Sequence, residues 1–175
     1  MGFFIEGSLS HLSFQIAYRS ENPGEENHTY GLRLGIYNSN SPQDRFTGVE
    51  MGIANNEAGD VDGVAVGLYN SANHFRGVSL ACENVARQMT GLNIGLVNAT
   101  ERRHEGEGNM TGVQLSAWNY AGGDMKGFQL GVLMNFAQRM YGFQAGFVNS
   151  AANLWEGGIQ LIIPLPSETA PEIEP

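Results

Sequence analysis

The stretch Gly91-Leu92-Asn93-Ile94-Gly95-Leu96-Val97-Asn98 decides the fold. Glycine opens it, apolar residues hold the second, fourth and sixth places, a small residue holds the fifth, and asparagine closes it. The same phrase runs over Gly31–Asn38, Gly48–Asn55, Gly63–Asn70, Gly77–Asn84, Gly112–Asn119 and Gly142–Asn149, and one residue longer over Gly127–Asn135. A degenerate copy spans Ser13–Ser20 and a last one opens at Gly158. The steps between openings are 18, 17, 15, 14, 14, 21, 15, 15 and 16 residues. Apolar residues alternating with period two mark β-strands, and so much glycine is incompatible with helix.

The columns assign faces. The second place holds residues such as Phe14, Leu32, Val49, Leu92 and Phe143; the fourth holds Leu34, Met51, Ile94 and Leu130; the sixth holds Ile36, Leu68, Cys82, Leu96 and Phe147. These columns are expected to form the core. The opposite face is small and polar, with Gln114, Gln129 and Gln144 set between glycines and with Tyr37, Tyr69 and Trp118 near its edge. It is expected to face outward as a flat interaction strip. Two further columns are expected to point inward from a return path. One contains Phe46, Val61, Phe75, Met89, Met110, Met125 and Met140. The other contains Ala72, Ala86, Ala121, Ala137 and Ala151.

Two all-β architectures use such a period. In a β-solenoid of about ten coils of 14–15 residues, equivalent residues stack at about 4.8 Å. Asn38, Asn55, Asn70, Asn84, Asn98, Asn119, Asn135 and Asn149 would then form a ladder at one corner, each amide bonding to the coil above and below. The alternative is a small up-and-down β-barrel, whose membrane-crossing strands also repeat at this interval. In a barrel the asparagines would alternate between the two membrane faces, and short turns would alternate with long loops. The motif is the same in every copy and the steps do not alternate, so the solenoid is preferred. Residues 1–12 are read as an N-terminal cap, 13–165 as the repeat domain and 166–175 as a proline-rich acidic tail. Polar excursions are expected at 22–28 and 101–108.

A chain of 175 residues with 42% hydrophobic residues suits a single packed domain. Its net charge of −9 disfavours nucleic acid and electrostatic attachment to anionic lipid. The single cysteine excludes an internal disulfide and a multi-thiolate metal site. Met1-Gly2-Phe3-Phe4-Ile5-Glu6-Gly7 lacks the basic and apolar regions of a secretory signal.

No chemistry-bearing constellation emerges. His11, His28, His74 and His104 share no ligand spacing and are read as surface residues. Cys82 is read as a small buried hydrophobe. Asp60, Asp62 and Asp124 do not recur in a calcium-repeat pattern. The methionine column is read as core filling rather than a soft-metal site. No catalytic residue, metal or cofactor is expected.

The copies Gly91–Asn98 and Gly142–Asn149 resemble those of bacterial surface repeat-containing proteins first described in spirochaetes, whose repeats read roughly Gly-Leu-Gln-Ile-Gly-Leu-Val-Asn. Phe14-Gln15-Ile16, a polar excursion, and Tyr30-Gly31-Leu32-Arg33-Leu34 share the family's opening order. The resemblance covers residues 13 to about 165. It implies an exported, cell-surface or outer-membrane protein, and it carries over no catalytic residues. The expected function is a non-enzymatic structural or surface-interaction module, with an outer-membrane barrel as the alternative. Its partner would be a protein or cell-surface component, with self-association or membrane association as further possibilities.

Overall fold

The computed structural model describes residues 2–8, 13–20, 27–41, 44–57, 59–101, 104, 107–151 and 154–162. Ten strands follow in chain order: β1 (Gly2–Ser8), β2 (Ser13–Ser20), β3 (Asn27–Asn40), β4 (Asp44–Glu57), β5 (Asp60–Val66), β6 (Tyr69–Leu80), β7 (Glu83–Ile94), β8 (Val97–Thr100), β9 (Asn109–Ala151) and β10 (Leu154–Ile162). Among the described residues there is no helix.

The chain winds as a parallel β-solenoid. β3 pairs parallel with β4, β4 with β5 and β6, β6 with β7, and β7 and β8 with β9. The register is that of the repeat: Gly31 lies beside Gly48, Gly48 beside Gly63, Gly63 beside Gly77, Gly77 beside Gly91, and Gly91 beside Gly112. Sequential parallel strands exclude the up-and-down barrel, whose neighbours must run antiparallel.

The expected ten coils are not all present, because the first and last copies of the repeat do not wind. β2 pairs antiparallel with β3, placing Phe14 opposite Leu34 and Ile16 opposite Leu32. β1 pairs antiparallel with β2, and β10 pairs antiparallel with β9. The stack therefore ends in strands of reversed direction. β10 carries a register shift between Glu156 and Gly158, at the glycine pair where the repeat itself slips by one. The expected acidic tail at 166–175, residues 9–12 of the cap, residues 22–26 of the first excursion and His11 lie outside the described residues.

The glycine that opens each copy has a structural cause. Gly48, Gly63, Gly77, Gly91, Gly112, Gly127 and Gly142 have φ between +126° and +150°. A Cβ on any of them would collide with the carbonyl oxygen of the preceding opening glycine. Only glycine accepts both the dihedral and the approach of the next backbone.

The core is thin. The apolar part comprises the column Phe46, Val61, Phe75, Met89, Met110, Met125 and Met140, together with Ala65 and the alanine column Ala72, Ala86, Ala121, Ala137 and Ala151. Both of these columns point inward, as the sequence suggested.

Candidate interaction surface

The asparagine column forms the expected ladder without a break. Asn38 Nδ2 donates to Asn55 Oδ1 at 2.7 Å, Asn55 to Asn70 at 2.8 Å, Asn70 to Asn84 at 3.2 Å, and Asn84 to Asn98 at 2.8 Å. Asn98 continues to Asn119 at 3.1 Å, Asn119 to Asn135 at 2.9 Å, and Asn135 to Asn149 at 2.8 Å. The same Nδ2 groups reach backbone carbonyls of the fourth place in the next copy. Asn55 donates to Val66 O, Asn84 to Ile94 O and Asn135 to Ala145 O. Every ladder asparagine is buried. The ladder amides thus join successive coils, and several add a second hydrogen bond to a corner carbonyl that already accepts a backbone N–H, as Ile94 O does from Ala81.

The glutamine column is inside as well, and this corrects the expected interaction face. Gln114, Gln129 and Gln144 are each 0% exposed. Gln129 Nε2 donates to Gln114 Oε1 at 2.8 Å, and Gln144 Nε2 to Gln129 Oε1 at 2.6 Å. These residues cannot form an outward strip. The physical reason is self-stacking: in a solenoid an amide meets its own kind one strand spacing away. Gln129 is therefore buried and paired with both neighbours, while Gln114 Nε2 and Gln144 Oε1 at the two ends of the stack have no partner among the described residues. The N-terminal end of this column carries a buried ion pair instead. Arg33 Nη1 lies 3.9 Å from Glu50 Oε2, and the guanidinium carbon sits 4.1 Å from the Phe46 ring centroid. Both side chains are buried, and the aromatic face adds a cation–π attraction where water is excluded.

The three apolar columns expected to form the core face outward. In the second and fourth places Val49, Met51, Ile94, Phe128 and Leu130 are exposed, while Val64, Val66, Val78 and Leu80 are half-buried. The sixth place is more open still: Ile53, Leu68 and Leu96 exceed half exposure, and Val132 and Phe147 reach 77% and 79%. Cys82 belongs to this column and is exposed, not buried as expected. The result is a continuous apolar strip along the solenoid. The extra residue in the Gly127–Asn135 copy exposes Val132, Leu133 and Met134 together at its edge. Of the edge aromatics, Tyr37 and Trp118 are exposed and Tyr69 is half-buried.

A charged rail runs beside the strip on the same strands. Arg45 contacts Asp60 at 3.4 Å and Asp62 at 3.2 Å. Arg76 pairs with Asp62 through both Nε and Nη2. His74 Nδ1 lies 2.7 Å from Asp60 Oδ1. Arg139 Nε donates to Asp124 Oδ1 at 2.7 Å, and this hydrogen bond, with the carboxylate's charge, raises the Arg139 pKa above its ordinary value. Of the remaining described histidines, His28 stands beside Arg45 at the N-terminal end of this rail, and His104 lies in the excursion after β8. Among the described residues no three His, Cys, Asp or Glu side chains are grouped to hold a metal ion.

Sequence reasoning missed the strip because it took the more hydrophobic face for the inside. A signal was present: Phe46, Gly48 and Glu50 are spaced by two, as are Met125, Gly127 and Gln129. An unbroken strand therefore puts the methionine and glutamine columns on one side and the apolar columns on the other. No protein-family model, curated protein or solved structure matches this chain.

Proposed function

We propose that the chain is a non-enzymatic interaction module that engages its partner through the apolar strip. The observation that carries this reading is the placement of Val49, Met51, Ile94, Phe128, Leu130 and Phe147 in solvent along one wall. Soluble monomers rarely expose contiguous apolar patches beyond a few hundred Å², and larger ones mark contact sites. The buried amide columns support the same reading. They hold the coils together without those side chains, leaving the second, fourth and sixth places available for contact. The repeat's resemblance to bacterial surface repeat proteins supports a cell-surface or outer-membrane setting.

The test compares the wild-type chain with the double variant Met51→Lys/Leu130→Lys. Three assays read association: solution mass, flotation with phosphatidylcholine vesicles, and binding to detergent micelles. The strip reading expects at least one association in the wild type and its loss in the variant, with the β-sheet circular dichroism unchanged. No association in any assay, or equal association in a folded variant, overturns it.

A further inference from the structure

We infer that the occupant of the apolar strip is a second copy of this chain, packed face to face so that two solenoid walls form a sandwich. The inference rests on the strip being the contact surface, and it adds the identity of the partner.

Three observations favour a second copy. The first is area. The stack from Gly31 to Gly142 spans seven strand spacings and β2 adds another, since Phe14 and Ile16 lie in register with Leu34 and Leu32. At about 4.8 Å per strand and about 3.3 Å per residue from the second to the sixth place, the face measures roughly 500 Å². Two such faces cover about 1,000 Å², the size at which specific protein interfaces begin.

The second is shape. The strip is borne on a regular sheet, and sheet faces pack on one another about 10 Å apart through interdigitating aliphatic side chains. A face made of the same three columns repeated along its length is complementary to itself, as an isologous interface requires.

The third is charge. The chain carries −9 overall, which opposes an anionic lipid surface and, at long range, a second copy alike, so the charge next to the strip decides. The rail beside the strip is neutralised within the chain, with Arg45 and Arg76 on Asp60 and Asp62, and Arg139 on Asp124. A paired rail puts little like-charge repulsion against a second copy. It also provides no run of uncommitted cations for phosphate headgroups.

Sedimentation equilibrium on the intact chain, without detergent, tests the inference. The wild type is expected at twice the 18.9 kDa chain mass, and Met51→Lys/Leu130→Lys at the single mass. Should that variant fail to fold, Leu130→Thr, which suits an exposed strand, should weaken dimerisation measurably. Cys82, the only thiol, lies on the strip and gives a second readout. Its alkylation by iodoacetamide should slow as wild-type concentration rises, and should be independent of concentration in the monomeric variant. A wild-type monomer that floats with phosphatidylcholine vesicles overturns the second copy while the strip remains the contact surface. A wild-type monomer that binds neither vesicles nor micelles overturns both readings. A dimer that persists in the folded strip variants places the interface elsewhere and overturns the inference.

Discussion

Asn98 Nδ2 donates to Asn119 Oδ1 at 3.1 Å although twenty-one residues separate them, against fourteen between Asn84 and Asn98. The ladder keeps its spacing across the longest excursion in the repeat. The excursion is tied at its base: Thr100 Oγ1 donates to Gly108 O at 2.6 Å, and Glu101 N and Gly108 N bond to Ala86 O and Arg87 O. The insertion leaves the wall and rejoins it without shifting the coil.

Asn84→Ala removes one of the acceptors of Asn70 Nδ2, one of the donors to Ile94 O, and the ladder donor to Asn98 Oδ1. A buried hydrogen-bonding group left without its partner costs about 1–3 kcal/mol. Urea unfolding is expected to show that loss, and a variant as stable as the wild type would mean the ladder contributes nothing.

The two strand faces are expected to differ in the sense opposite to their hydrophobicity. Gln129→Ser breaks two side-chain bonds, to Gln114 and Gln144, and leaves a void, so a loss of about 2–4 kcal/mol is expected. Ile94→Asp changes an exposed strand position and should cost about 1 kcal/mol or less in the monomer. These values come from urea titrations at concentrations where the chain is monomeric. The reverse order would place the apolar columns inside.

Gly77→Ala forces a Cβ against Gly63 O at a φ of +136°. Strain of this kind costs about 1–3 kcal/mol even without the backbone collision, so a loss above about 3 kcal/mol is expected. Thr90→Ala, an exposed strand position beside Arg76, serves as the control. Thermal melting of both variants reads the difference.

The buried Arg33–Glu50 pair makes a separate prediction. Removing one partner, as in Glu50→Ala, strands a buried guanidinium and should cost about 3–5 kcal/mol. The double variant Arg33→Gln/Glu50→Gln puts a separate pair of stacked amides at this end, with Ala65 and Ser79 between it and Asn93. It should fall within about 1 kcal/mol of the wild type, because buried ion pairs contribute little net stability over neutral replacements. Chemical denaturation of the single and double variants reads this as a coupling energy.

Much of this architecture was legible before any coordinates. The period, the parallel register, the asparagine ladder and the inward methionine and alanine columns all follow from residues recurring at fixed offsets, which a stacked fold turns directly into contacts. The inside and outside of the wall were not legible by hydrophobicity alone. Burying apolar residues is the rule where each side chain must find unlike neighbours. Here Gln129 finds Gln114 and Gln144, so amides fill the interior and Leu130 is left in solvent. The end strands escaped for a related reason. The copy at Ser13–Ser20 repeats the pattern well enough to pair in register with Gly31–Leu34, yet pattern alone does not say that it runs the other way.

The collision that bars any side chain from the opening glycines also gives the molecule a unit of length. Each coil meets only the one before and the one after, and both ladders pass from one coil to the next through the same amide contact. A duplicated segment of about fifteen residues would therefore enter as a whole rung, with its glycine, its asparagine and its share of the outer wall already in place. A longer insertion is looped out, as it is after Thr100, and the single extra residue of the Gly127–Asn135 copy is taken up at the edge of the wall. Length in such a chain changes by whole rungs, and so does the reach of the surface it presents.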